Sequence, residues 1–283
     1  MRLSEWLFVS YFAYIALLSG LFRDRPHLHA QPFVYLFGSA VIFLLLNKLQ
    51  RGRLAEPIAV VRDWLPIVFL FIAFREMELF VPARYDLALE RGWIKLDQIV
   101  LHDWGWRAAI EKTGPFIPFY LEFCYVLVYG LAAFSLSCIL FLNNRRAIDY
   151  FWAVYLTGTL TAYALFPYFP SLPPRYAFVL VEPPQVITIV RTFNLAILRG
   201  ATIHSGVFPS AHVSSAFSAV WALYFLFPQK RWLANVMLVY AISVSLATVY
   251  GRYHYIADVL AGFAVSLIAL GVAFAMKGYV QKH

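Results

Sequence analysis

Residues 232–276 read WLANVMLVYAISVSLATVYG, then RYHYIAD, then VLAGFAVSLIALGVAFAM. The two outer runs, Trp232–Gly251 and Val259–Met276, contain no Asp, Glu, Lys or Arg. Each has about the length a helix needs to cross a hydrocarbon core about 30 Å thick. A charge at the centre of such a helix costs about 2.5–3.5 kcal/mol on insertion scales, so charge-free runs of this length point to lipid. The short link forces the two helices antiparallel and gathers its polar residues at one membrane boundary.

Six more charge-free windows lie upstream: Trp6–Phe22, Pro26–Asn47, Trp64–Phe74, Phe123–Asn144, Tyr150–Pro174 and Gly200–Gln229. The third spans only if it continues through Arg75, Glu76 and Glu78 to about Pro82, so eight spans are expected and seven are the alternative. Composition agrees: 62% of the 283 residues are hydrophobic and 13% charged, against about 45–50% and 25% in soluble chains. A water-soluble domain and a disordered chain are excluded. Of the two cysteines, Cys124 and Cys138, neither can reach the other along one helix, and no Cys/His spacing suggests zinc. The net charge of +8 reflects basic residues in short loops and does not call for nucleic acid. The expected fold is all-α, a polytopic membrane helix bundle of about eight transmembrane helices with a six-helix catalytic core.

The expected organisation is a two-helix extension over 1–62 and a core over 63–283. The core includes an interfacial segment, 83–115, with Trp93, Trp104 and Trp106 among charges. It also includes a loop over 173–209, whose length suggests function. The first window is expected to be a retained helix, because Arg23 and Asp24 follow it without a small-residue cleavage site. Threading eight spans puts both termini on one face. That face carries Arg2, Lys48, Arg51, Arg53, Arg62, Arg145, Arg146, Lys230, Arg231, Lys277 and Lys282 in short segments. Such a face is cytoplasmic by the positive-inside rule, and the long loops then lie outside the cytoplasm, in a multi-pass protein of the cell membrane.

Three polar clusters fall on that outer face: Pro173-Pro174-Arg175, Phe208-Pro209-Ser210-Ala211-His212, and Gly251-Arg252-Tyr253-His254-Tyr255-Ile256-Ala257-Asp258. His254 and Asp258, four apart, share a helix face, so the carboxylate can hold one ring nitrogen and free the other as base or nucleophile. They also suit a helix cap. Ser210 reads as a helix N-cap whose unpaired amides attract phosphate, with His212 in the first turn able to donate a proton. A capping serine beside an incidental histidine fits as well. Arg175 and Arg252 suit either snorkelling to headgroups or binding an anion. Together, two guanidinium groups, two imidazoles, a carboxylate and a helix N-terminus suit a tetrahedral oxyanion.

The order Arg, then Pro-Ser-x-His, then Arg-x-His-x-x-x-Asp resembles the type 2 phosphatidic acid phosphatase superfamily, and more closely its branch related to inositol phosphorylceramide synthase. The likeness covers roughly Trp64–Met276. It implies that His254 is a nucleophile forming a phosphohistidine, that Asp258 orients it, and that His212 protonates the leaving group and later activates the acceptor. It further implies that Arg175, Ser210 and Arg252 bind phosphoryl oxygens, with no metal or other cofactor. Three positions depart from the superfamily pattern: Tyr168 and Tyr176 stand where a Lys and a Pro usually flank the first motif's Arg, Ala211 replaces a Gly, and one residue separates Arg252 from His254 where phosphatases have five.

The expected activity is phosphoryl transfer on a membrane lipid phosphate, as lipid phosphate phosphatase if water is the acceptor or headgroup phosphotransferase if a hydroxyl is. The alternatives are a transporter or channel using Glu122 and the Arg75, Glu76, Glu78 group as a pathway, and a non-catalytic lipid-binding protein.

Overall fold

The computed structural model describes residues 1–22, 24–52, 54–142, 145–178, 183–204 and 206–278. Arg23 after the first window, Arg53 and Lys282 of the topology argument, the window end Asn144, and Ser205 within the 173–209 loop lie outside the described residues. The described residues are mostly helical, with no strand among them.

Every charge-free window falls on helix. The first two are α1 (Leu3–Leu18) and α2 (Gln31–Leu49); the third is α3 (Ala55–Glu76) with a 3-10 turn to Phe80. Between α3 and the fourth window come α4 (Ala88–Gln98), a π turn (Ile99–Asp103) and α5 (Trp106–Glu111). The fourth window is α6 (Phe116–Leu127) running through a 3-10 turn into α7 (Leu131–Phe141). The fifth is α8 (Ile148–Leu165); after α9 (Pro174–Ala177) and α10 (Ile189–Ala201) come α11 (Ala211–Leu226), α12 (Arg231–Tyr250) and α13 (Ile256–Ala275). Five stretches are long and apolar enough to cross a membrane: α2, α3 with its extension, the α6–α7 rod, α12 and α13. The helices α1 and α11 are apolar but shorter. This is a helical membrane protein.

The α3 span gains most of its length upstream of Trp64. Charges there cut the apolar window short, but the fold pairs them. Arg62 donates twice to Glu5, at 2.6 and 2.7 Å, and Asp63 accepts from Arg2 and from Arg145, each at 2.7 Å. The 173–209 loop is also corrected, since it contains α10, capped by Thr188, whose hydroxyl accepts from the Arg191 amide at 3.1 Å.

The core centres on α8 and α11, both packed among other helices, which lets them carry more polar side chains than lipid would accept. Hydroxyls of Thr157 and Thr159 turn inward to carbonyls of their own helix. Where α8 meets α11, Ser214 donates to the Gly158 carbonyl at 2.9 Å, and a Cβ on Gly158 would stand 2.0 Å from the Ser218 hydroxyl. Small residues thus bring these two helices close, and α12 and α13 close around α11.

Candidate active site

The link between α12 and α13 is wound tightly. The amides of Tyr253 and His254 both donate to the Thr248 carbonyl, at 2.9 and 3.0 Å. Arg252 absorbs the reversal in left-handed backbone, φ +61°, a conformation that costs a non-glycine residue about 1–3 kcal/mol. One turn into α13, the Asp258 Oδ2 accepts from the Tyr255 amide at 2.9 Å and lies 3.1 Å from the His254 Nδ1. Asp258 is fully buried.

The second cluster docks on this pair. The Ser210 hydroxyl caps α11 by accepting from the Val213 amide at 3.4 Å, and its own amide donates to the Asp258 carbonyl at 2.9 Å. Gly262 makes the approach possible, since a Cβ there would lie 2.4 Å from the Ser210 carbonyl oxygen. The result places the His212 Nδ1 3.3 Å from the His254 Nε2. If Nδ1–H of His254 donates to the Asp258 carboxylate, Nε2 is left with a lone pair, and His212 must donate in the contact between the rings. Burial, and then the Arg175 charge, push the His254 imidazole down to about 3, so it stands neutral at ordinary pH.

Arg175, on the single turn of α9, completes the group. Its guanidinium lies 4.7 Å from the Tyr176 ring and 5.6 Å from the Tyr253 ring, and Nη2 reaches the Thr202 hydroxyl at 3.4 Å. Its Nε is buried without a partner among the described residues. Arg175, His212 and His254 share one cavity of about 320 Å³, whose other walls are largely apolar and aromatic, among them Ile67, Phe71 and Phe74 of α3 and Val128 and Ala132 at the α6–α7 junction. A neutral imidazole, a second imidazole that carries the proton between the rings and a guanidinium with an unused donor form a group chemically suited to phosphoryl transfer.

Of the six residues singled out in the sequence, His254, Asp258, His212 and Arg175 come together. Ser210 stands behind them as a helix cap. Arg252 turns away from the cavity, and its Nη1 pairs with Asp97 Oδ2 of α4 at 2.8 Å. Burial drives the Asp97 carboxyl up, while Arg252 and the Ile256 amide oppose it.

Sequence reading missed this partner and the network below the site. Glu122 accepts from Arg191 at 2.6 Å, Asn194 at 2.7 Å and the Tyr253 hydroxyl at 2.6 Å. The Tyr253 ring stacks 3.9 Å from Tyr125, which stacks 5.3 Å from His212. Glu122, read as a pathway residue in the transporter alternative, is thus fully engaged. The available signal was acids on otherwise apolar faces, Glu90 and Asp97 beside Ile94 in α4 and Glu122 in α6.

The model of the PAP2 superfamily matches residues 92–272. The chain belongs to the PAP2 superfamily. The matched stretch holds all three motifs of this PAP2 chain and begins inside α4, leaving α1–α3 outside, whereas the motif resemblance reached back to Trp64. A PA-phosphatase related-family protein of Dictyostelium discoideum is 34% identical over 65 residues, 23% of this PAP2 chain and 11% of the relative. The chain therefore spans about a tenth of that relative's length. No solved structure matches.

Proposed function

We propose that the protein transfers the phosphoryl group of a membrane lipid phosphate through a phosphohistidine on His254. The carrying observation is the 3.3 Å approach of His254 Nε2 and His212 Nδ1 in the cavity that Arg175 also lines. In the first half-reaction, His212 is imidazolium through a proton taken up with the anionic phosphate; Nε2 attacks phosphorus, the bond to the leaving oxygen breaks, and His212 gives that oxygen a proton and becomes neutral. In the second, His212 takes a proton from water or a hydroxyl, whose oxygen attacks phosphorus and releases Nε2. Asp258 holds Nδ1 and offsets the charge on the ring, and Arg175 neutralises the phosphoryl oxygens. The apolar walls from α3 and the α6–α7 junction suit an acyl chain, which supports a lipid substrate and a site at a membrane boundary. The basic residues of the short segments support cytoplasmic termini and a site on the extracytoplasmic side.

The motif spacing that resembles the inositol phosphorylceramide synthase branch favours a hydroxyl acceptor over water. The purified protein, offered a panel of lipid phosphates with and without polyols, tests both points. Free phosphate without an added alcohol shows hydrolysis, and a phosphodiester formed only with an acceptor shows transfer. No turnover of any lipid phosphate, or normal turnover by His254→Ala, overturns the proposal. Vanadate, which mimics five-coordinate phosphorus, is expected to inhibit competitively.

A further inference from the structure

Three segments far apart in sequence must be brought together to make the site, and one short helix touches all of them. α4 is amphipathic: Glu90, Ile94 and Asp97 are buried on one face, with Trp93 beside them, while Arg91, Gly92 and Lys95 are exposed. That spacing is one helical stripe. Glu90 accepts from the Leu172 amide at 2.9 Å, beside the Arg175 turn, and Leu172 in turn accepts from the Tyr255 hydroxyl at 3.1 Å. The Trp93 ring stacks on Phe208 at 4.9 Å, two residues before Ser210, and lies tilted against Tyr255 at 5.5 Å. Asp97 grips the third segment at two points: Oδ2 takes Arg252 Nη1 at 2.8 Å, and Oδ1 takes the Ile256 amide at 2.9 Å. His254 lies midway between those two points.

We propose that α4 is the clamp that assembles the site and that Asp97 is a positioning residue, setting the His254 ring by fixing the link on both sides of it. Asp97 lies outside the cavity and touches no reacting atom. The ion pair with Asp97 anchors Arg252 and offsets the strain of a left-handed backbone that glycine more often occupies. This inference rests on the proposed activity for its kinetic readout, but not for its structural one.

The test compares wild type, Asp97→Ala and Asp97→Asn in one detergent. Displacing reacting groups by about 1 Å costs on the order of 10²-fold in rate. Asp97→Ala is therefore expected to lower kcat by about 10² with KM within threefold. Asp97→Asn keeps the acceptor for the Ile256 amide and loses the charge, so it is expected to recover to within about tenfold of wild type. Hydrogen exchange of the peptide carrying residues 252–258 needs no turnover, and in Asp97→Ala it is expected to quicken at least tenfold. Unchanged exchange in both variants overturns the clamp even if the enzyme is active. So does a kcat within twofold of wild type in both, or a loss that only tracks the folded fraction and is not relieved in Asp97→Asn. If Asp97→Ala does not fold, Asp97→Asn decides alone: a severalfold fall in kcat at constant KM and melting temperature upholds the clamp, and wild-type kcat overturns it. Wild-type protein that turns over no lipid phosphate sinks the proposed activity and leaves the exchange result to judge the clamp.

Discussion

His212 and His254 meet ring to ring, Nδ1 to Nε2 at 3.3 Å, with Asp258 Oδ2 at 3.1 Å behind the second ring. The contact leaves no room for phosphorus between the two nitrogens, so a bound phosphoryl group must part them. His254→Ala is expected to abolish phosphate release. Asp258→Asn, which keeps the shape but favours the wrong tautomer, is expected to lower kcat by about 10²–10⁴. Single-turnover assays with a labelled lipid phosphate check both, and Asp258→Asn at the wild-type rate contradicts the orienting role.

The pH profile should carry the mark of burial. His254 is held down to about 3 by burial and then by Arg175. In the proposed mechanism the neutral ring is the reactive form, so its acid limb in kcat/KM is expected well below the ordinary imidazole range. Arg175→Gln removes one of the two causes and is expected to move that limb to higher pH, besides lowering the rate. The sign for stability follows from proton binding. Between about pH 6.5 and 3 the unfolded chain holds a proton on this ring that the folded chain refuses, and stability falls as pH falls wherever that is so. Melting temperatures in one detergent should therefore decline below pH 6.5, and less so in His254→Ala.

Two glycines allow close helix approach, with different tolerance. At Gly262 a new Cβ meets backbone, the Ser210 carbonyl oxygen, at 2.4 Å; at Gly158 it meets the Ser218 hydroxyl at 2.0 Å, and that side chain can rotate away. Gly262→Ala is expected to cost about 1–3 kcal/mol, as overpacking does, and Gly158→Ala less. Thermal melts of the two variants, side by side, give the order.

The Arg191–Glu122 pair is buried on both sides, at 7% and 2% side-chain exposure. Removing one partner of such a pair typically costs about 3–5 kcal/mol because the other charge is stranded. Glu122→Gln should thus be strongly destabilised, and Glu122→Leu with Arg191→Met should recover much of the loss. A double variant no better than either single one refutes that account.

The helices were legible in the sequence because lipid imposes one rule, and every charge-free window lies on a helix. His254 and Asp258 were legible because four residues make one turn. The upstream turns of α3 were hidden: Arg62 and Asp63 forbid a span until Glu5, Arg2 and Arg145 answer them, and those partners are fixed only by folding. Arg252 illustrates the same limit. Its partner Asp97 lies 155 residues away, and no local pattern tells a guanidinium committed to protein from one free for phosphate. In contrast, α10 could have been found, since its amphipathic run follows a capping Thr188.

The amide of Ser210 is bonded to the carbonyl of Asp258, main chain to main chain, at 2.9 Å. That bond, with the packing of α11 on α13 and the close approach at Gly262, ties the two histidine-bearing walls together. Substrate cannot be admitted by prying α11 from α13. The yielding must come from rotation of the His212 ring or from the opposite wall, where Arg175 rides on a single helical turn ahead of α10, so changes in chain-length preference should map to that side and leave the histidines alone.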